Sequence, residues 1–307
     1  MPDDHCVLIT PDGRRLETLT AGPADGLPLV FHNGTPGGLV ALPAMVDAAA
    51  ARGLRLVLYG RPGYGASTPQ PGRTVADAAA DVAVILDELE APEFVTAGWS
   101  GGGPHALACA AGLPRRCLAA ASVAGVAPGT APGLDWLAGM GPENVAEFGA
   151  ARQGQAALTA FLDAAAAELS QTTGEQVTAG LGGLLSATDR AVVTAGFADY
   201  LAALFRDALR GGIAGWRDDD LAFVGDWGFQ PGGLSGVPVA IWQGDADQMV
   251  PSSHGAWLAA QIPRARAHLQ RGQGHLTLIA QEFGAILDDL LELAGRPASA
   301  APRPASP

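Results

Sequence analysis

The chain contains no lysine; all eighteen of its basic residues are arginine. That absence removes Schiff-base catalysis, a pyridoxal phosphate anchor and a lysine-bearing phosphate loop in one step. The basic side chains are outnumbered by 31 Asp and Glu, for a formal charge of −13. Such a surface does not favour non-specific binding to nucleic acid or to an acidic membrane. Cysteine is scarce. Cys6, Cys109 and Cys117 are odd in number and lack C-x-x-C or metal-ligand spacing, and the alanine-rich surroundings of the latter two read as those of buried free thiols. No apolar run reaches the length of a membrane span, and the opening MPDDHCVLITPDG lacks a basic region followed by an apolar core. A cytoplasmic protein is expected, without metal or cofactor and with a small molecule as its partner; the oligomeric state is not readable.

What is present is enough apolar material for a sizeable core, 48% of 307 residues. Through the first part, short apolar runs alternate with helical patterns. Residues 7–10 and 15–20 read as a hairpin around Pro11-Asp12-Gly13. Further strands are expected at 27–34, 54–60, 94–100 and 117–128, with helices near 39–52, 74–89 and 101–111. Thr74 serves the 74–89 helix as N-cap. This alternation implies a mostly parallel sheet covered on both faces. From 129 to about 231 the pattern becomes helical and alanine-rich, and it holds many of the aromatics. The sheet pattern then resumes at 237–245 and 267–270, with a helix at 254–260 and a last one at 276–293. The expected organisation is a core over 1–128 and 233–295, a helical cap over 129–232, and a proline- and alanine-rich tail over 296–307.

Chemistry concentrates in a few short stretches. GWSGGGPHALA places Ser100 in a G-x-S-x-G pattern after an apolar strand and before a helix. Glycines there let the backbone double back and leave the hydroxyl exposed, and the helix that follows favours developing negative charge. Serine needs a base. His275, in QGQGHLTL after the last strand, is the candidate. QGDADQMVP offers Asp247 to orient that histidine, with Asp245 shaping the turn. Oxyanion donors are expected from the backbone N–H of Gly101 and from Thr35 or Gly34 in FHNGTPGG, since Pro36 has none. His32 is expected to brace that loop. Trp99 and His105 are candidates to line the substrate pocket, and His254 is expected on an outer helix face. Asp218 to Asp220 reads as a solvated loop, and Glu143, Glu147, Glu168 and Glu175 as solvated helix faces.

Five stretches taken in order, HNGTPGG, GRPGYGAST, GWSGGGPHALA, QGDADQMVP and GQGH, resemble the α/β-hydrolase fold. The resemblance covers all but the cap and the tail. It implies an eight-stranded, mostly parallel sheet with a helical cap after strand six and a cofactor-free site beneath it; it also implies a merely structural turn at 61–65. Ser100 stands where dehalogenases and epoxide hydrolases of this fold carry aspartate. The chain is similar to proline iminopeptidases in cap position, but their HGGPG turn is here HNGTPGG, and Gly60 replaces the acid usual before the arginine of RPGYG. The expected activity is therefore a carboxylesterase-like serine hydrolase acting on a small, mostly apolar ester, lactone or amide. An iminopeptidase-like aminopeptidase, a C–C hydrolase or lyase, and a non-catalytic small-molecule receptor are the alternatives on the same fold.

Overall fold

The computed structural model describes residues 4–296. Eight strands form one sheet: β1 (Asp4–Ile9), β2 (Arg15–Ala21), β3 (Leu27–His32), β4 (Leu54–Tyr59), β5 (Phe94–Trp99), β6 (Cys117–Val123), β7 (Val239–Gly244) and β8 (Arg266–Gln270). Their spatial order is β1-β2-β4-β3-β5-β6-β7-β8. β1 pairs antiparallel with β2, and β2 antiparallel with β4; every other pairing is parallel. The sheet is thus mostly parallel, as the alternation of strand and helix patterns implies.

The central strands are apolar on both faces because helices cover both. Side chains alternate with a period of two, so each strand feeds two cores. Val30, Val57, Tyr59 and Phe94 pack on one face with α2 (Ala78–Glu88) and α3 (Gly102–Gly112), through Val82, Ile85, Leu86 and Leu107. Leu29, Phe31, Leu56, Leu58, Val95 and Ala97 pack on the other with α1 (Pro43–Ala50) and α12 (Phe283–Leu293), through Met45, Ala49, Ile286 and Leu290. Thr74 opens the segment before α2 with a capping box, its N–H donating to Asp77 at 2.7 Å.

Between β6 and β7 the chain inserts six helices: α4 (Pro142–Gln153), α5 (Gln155–Leu169), α6 (Gly174–Gly180), α7 (Ala187–Val192), α8 (Ala195–Ala208) and α9 (Ala214–Val224). After β7 come α10 (Ser252–Gln261) and, beyond β8, α11 (Thr277–Ala280). The single final helix expected over 276–293 is broken in two at Gln281 and Glu282. The expected tail lies, apart from Arg296, outside the described residues. No helix among the described residues is long and apolar enough to cross a membrane.

Two expectations about exposure are corrected. His254 does not sit on an outer face; it is fully buried, accepting from the Ala127 N–H at 3.0 Å and lying 2.9 Å from the Trp136 carbonyl. Burial holds its pKa down, at about 4. Asp218, Asp219 and Asp220 are not a solvated loop; they belong to α9, and each is buried. Cys109 and Cys117 are buried free thiols, whereas Cys6 is exposed.

Candidate active site

Strands β3, β5, β7 and β8 all run parallel and deliver their following loops to one edge of the sheet, the usual place for chemistry in such folds. Ser100 follows β5 at φ 56°, left-handed backbone that a serine rarely adopts. Its N–H donates to the Val123 carbonyl at 2.9 Å, anchoring the turn to the neighbouring strand. The glycines around it answer to contact. A Cβ at Gly98 would come within 2.0 Å of the Gly102 carbonyl oxygen, and one at Gly102 within 2.0 Å of the His32 carbonyl oxygen. Side chains are excluded there so that the turn can close against its own helix and against β3.

His275 and Asp247, from loops after β8 and β7, meet through Nδ1···Oδ2 at 2.8 Å. Both side chains are buried. Asp247 is itself held: Oδ1 accepts from the N–H groups of Met249 (2.9 Å) and Val250 (2.8 Å), and Oδ2 from the Gln243 amide at 3.1 Å. Burial pushes the His275 pKa down, but the Asp247 carboxylate, with help from Asp189, outweighs it and leaves the imidazole more basic than an ordinary histidine. Asp245 shapes the turn, accepting from the Gly272 N–H at 2.7 Å.

The loop after β3 lies against the serine turn. A Cβ built on Gly34 would sit 3.3 Å from the Ser100 Cβ, and one on Gly101 would sit 2.3 Å from the Thr35 hydroxyl. Among the described residues, the backbone N–H groups of Gly34, Thr35 and Gly101 donate to no protein acceptor. His32 lies behind this loop, bridging the Tyr59 hydroxyl (3.2 Å) and the Thr96 hydroxyl (3.1 Å), and burial keeps it neutral.

Sequence reasoning missed what secures the loop. Arg61 donates to the Asn33 carbonyl at 2.6 Å and to the Gly34 carbonyl at 3.0 Å. Its guanidinium is paired at 2.6 Å with Asp219 of α9, which also meets Arg73 at 2.6 Å. Asp219 accepts further from the Tyr64 hydroxyl and the Thr35 hydroxyl, each at 2.8 Å. The turn at 61–65 is structural, as the resemblance implies, but its arginine orders the residues beside Ser100. A run of three aspartates carries no mark of which one faces inward, so only the partners' positions in space reveal Asp219.

A cavity of about 930 Å³ opens over Ser100 and His275. On the sheet side it is lined by Gly34, Thr35, Trp99, Met249 and Leu276; on the insertion side by Phe161, Leu201, Leu204, Phe205 and Trp216. Trp99 therefore reaches the cavity, and its ring tilts against His275 with centroids 5.4 Å apart. His105 does not. It is buried beneath the serine turn, with Nδ1 2.8 Å from the Gly101 carbonyl and burial holding its pKa down to about 3, which corrects its place as a pocket residue. Glu143, Glu147 and Glu168 also line the cavity, so they are not simply solvated helix faces, whereas Glu175 is off its wall. Among the described residues no three His, Cys, Asp or Glu side chains are grouped to hold a metal ion.

This combination of sheet, serine turn and strand-end loops defines an alpha/beta hydrolase. Residues 28–280 match the alpha/beta hydrolase fold family, and the chain belongs to it. Over 121 residues it is 35% identical to a non-heme chloroperoxidase from Streptomyces lividans, a match spanning 39% of this chain and 44% of that one. The chain thus spans less than half the length of that curated relative. A hydrolase from Pseudomonas aeruginosa superposes with a TM-score of 0.68 at 24% identity, over 94% of this chain and 98% of that one. An esterase from Rhodococcus sp. ECU1013 does so with 0.63 at 22%, over 95% and 99%.

Proposed function

We propose that the protein is a carboxylesterase-like serine hydrolase for a small, mostly apolar ester, lactone or amide. The observation that carries the proposal is a serine held in left-handed backbone on the wall of the same cavity as a histidine whose Nδ1 is fixed by a buried aspartate. With Nδ1 occupied, Nε2 is the nitrogen left to take a proton from the Ser100 hydroxyl. Ser100 attacks the substrate carbonyl. The tetrahedral oxyanion is held by N–H groups of Gly101 and of Thr35 or Gly34, which have no competing protein acceptor. His275 returns the proton to the leaving group as the carbonyl reforms. Water, deprotonated by the same histidine, then releases the acyl group. Asp247 stays ionised throughout and balances the imidazolium. The apolar wall formed by Phe161, Leu201, Leu204, Phe205 and Trp216 suits an apolar acyl or leaving group.

A second reading has its own observation. The cavity wall carries the carboxylates of Glu143 and Glu168 and no arginine. That charge suits a substrate with a free amino group, as an aminopeptidase-like enzyme would take. Comparing p-nitrophenyl esters with aminoacyl p-nitroanilides separates the two.

The proposal is tested by fluorophosphonate labelling together with turnover of short and medium p-nitrophenyl esters, on wild type and Ser100→Ala. Expected are labelling and turnover in wild type, with loss of labelling and a fall in turnover of at least about 10³-fold in the variant. Absence of labelling in folded wild type overturns the mechanism and leaves the receptor or lyase alternatives.

A further inference from the structure

His275 is held at three points, only one of which belongs to the proposed chemistry. Its side chain meets Asp247, and its carbonyl accepts from the Trp99 indole N–H at 3.2 Å. Its backbone N–H donates to Asp189, at 3.0 Å from Oδ2. Asp189 belongs to α7 of the helical insertion, eighty-six residues earlier in the chain. The same carboxylate accepts from the Leu276 N–H at 2.7 Å and the Thr277 N–H at 3.2 Å through Oδ1. On its own side it is steadied by the Ser186 hydroxyl, which donates to Oδ2 at 2.8 Å. Asp189 is fully buried.

The loop is shaped to receive it. A Cβ on Gly274 would lie 2.3 Å from Asp189 Oδ2 and 2.4 Å from Oδ1, so only glycine leaves space for the carboxylate. Four hydrogen bonds to one buried carboxylate are more than a turn requires, and three come from consecutive residues starting at the proposed base. We propose that Asp189 is a positioning residue for His275: a strap from the insertion that fixes the histidine backbone and adds negative charge behind the imidazole. The strap makes the helical insertion part of the base's support as well as a wall of the substrate cavity. Asp189 does not itself line that cavity, so its effect should fall on kcat and leave KM nearly unchanged. A misplacement of the base by about 1 Å would be enough to cost about 10²-fold.

The charges facing His275 are Asp247 from the β7 loop and Asp189 from α7. Arg190, next to Asp189, turns its guanidinium to the Gly182 carbonyl at 2.8 Å, and Glu282 beyond α11 accepts from the Gln273 amide at 3.4 Å. Burial opposes protonation of the imidazole, and the two aspartates favour it. Removing the charge of Asp189 therefore makes His275 less basic. The acid limb of kcat/KM, set by the need for a neutral imidazole, should move to lower pH.

The inference rests on the proposed role of His275, and a titration that does not need turnover keeps the two apart. In Asp189→Asn, the His275 ring resonances followed by NMR should titrate at lower pH than in wild type, with kcat down about tenfold or more and KM little changed. A moved titration with no turnover in either protein would overturn the hydrolase reading and leave the strap standing. An unmoved titration with unchanged kcat in folded Asp189→Asn overturns the strap. If that variant does not fold, Ser186→Ala leaves the charge in place and loosens the carboxylate. Faster hydrogen exchange at the His275, Leu276 and Thr277 amides then supports the strap, and exchange at the wild-type rate overturns it.

Discussion

Asp219 and Asp220 are neighbours on one helix, both fully buried, and they live in opposite electrostatic worlds. Asp219 turns toward the sheet edge and meets two guanidiniums, each at 2.6 Å, with two hydroxyls at 2.8 Å. Those partners outweigh its burial and hold its carboxyl far below the usual carboxylate range. Asp220 faces the carboxyl of Glu147 on α4, and among the described residues no guanidinium or imidazole is paired with it. Burial and the neighbouring carboxyl push it well above the usual range, and Glu147 is raised too while accepting from the Trp216 indole at 2.6 Å. A buried carboxylate stays charged where cations or several N–H and O–H donors are brought to it; without them it keeps a proton. One helix thus presents a charged carboxylate to the loop beside Ser100 and, one residue on, a carboxyl that burial and Glu147 hold towards its protonated form.

The largest expected effect comes from breaking the charged side. Asp219→Ala leaves Arg61 and Arg73 buried without their counter-charge, and removing one partner of such a pair costs about 3–5 kcal/mol. Thermal unfolding of the variant should show it directly. Where the protein still folds, kcat should also fall, because Arg61 carries the Asn33 and Gly34 carbonyls. A variant as stable and active as wild type would show that the network is not what orders the loop.

The protonated side predicts a pH effect of opposite sign. For Asp220 and Glu147 the folded pKa values are raised, so the folded state holds protons that the unfolded chain has released. Their contribution is fully present below the ordinary carboxylate range and is lost as pH rises through the raised values. Each extra bound proton lowers stability by about 1.4 kcal/mol per pH unit in that window. Asp219 behaves inversely: its stabilisation persists down to strongly acid pH. Unfolding midpoints measured from pH 5 to 8 should therefore decline in wild type, and Asp220→Asn, which is neutral without a proton, should flatten the decline and exceed wild type at the alkaline end. His275, also raised, adds a decline of the same sign in both proteins, so the comparison between them isolates the carboxyl pair. Parallel profiles would mean that the two carboxyls are not raised in the folded protein.

The contrast also marks where sequence stopped being informative. Strand positions along the chain could be anticipated because each strand's apolar run is local; their order in the sheet could not. The candidates Ser100, Asp247 and His275 were legible because each lies in the loop after a strand, and the parallel sheet carries all such loops to one edge. Asp189 and Asp219 lie in short helices of the insertion whose sequence does not mark which face turns inward. Their partners are 86 and 158 residues away along the chain, at His275 and Arg61. His105 failed for a related reason: one turn into α3 is near Ser100 in sequence, yet the helix carries that side chain behind the turn, towards Gly101 and Asp219. Burial of a charge is a property of pairs, and the members of these pairs come from different layers.

The smallest effect sharpens the charged side of the comparison. Thr35 touches Asp219 through its hydroxyl alone, donating at 2.8 Å while accepting from Arg61 at 3.0 Å. Its backbone N–H, the candidate oxyanion donor, has no protein acceptor. Thr35→Val keeps the shape and that N–H, and removes one of several donors to a carboxylate that retains both guanidiniums. The cost should be about 1 kcal/mol in stability, well short of the Asp219→Ala loss. Activity tells the two roles of the residue apart. If Thr35 acts through its backbone, the valine variant keeps kcat within a few-fold of wild type. A drop approaching the 10²–10³ of a lost oxyanion donor would instead mean that the hydroxyl, held by Asp219, is what sets the loop where the backbone can reach the substrate.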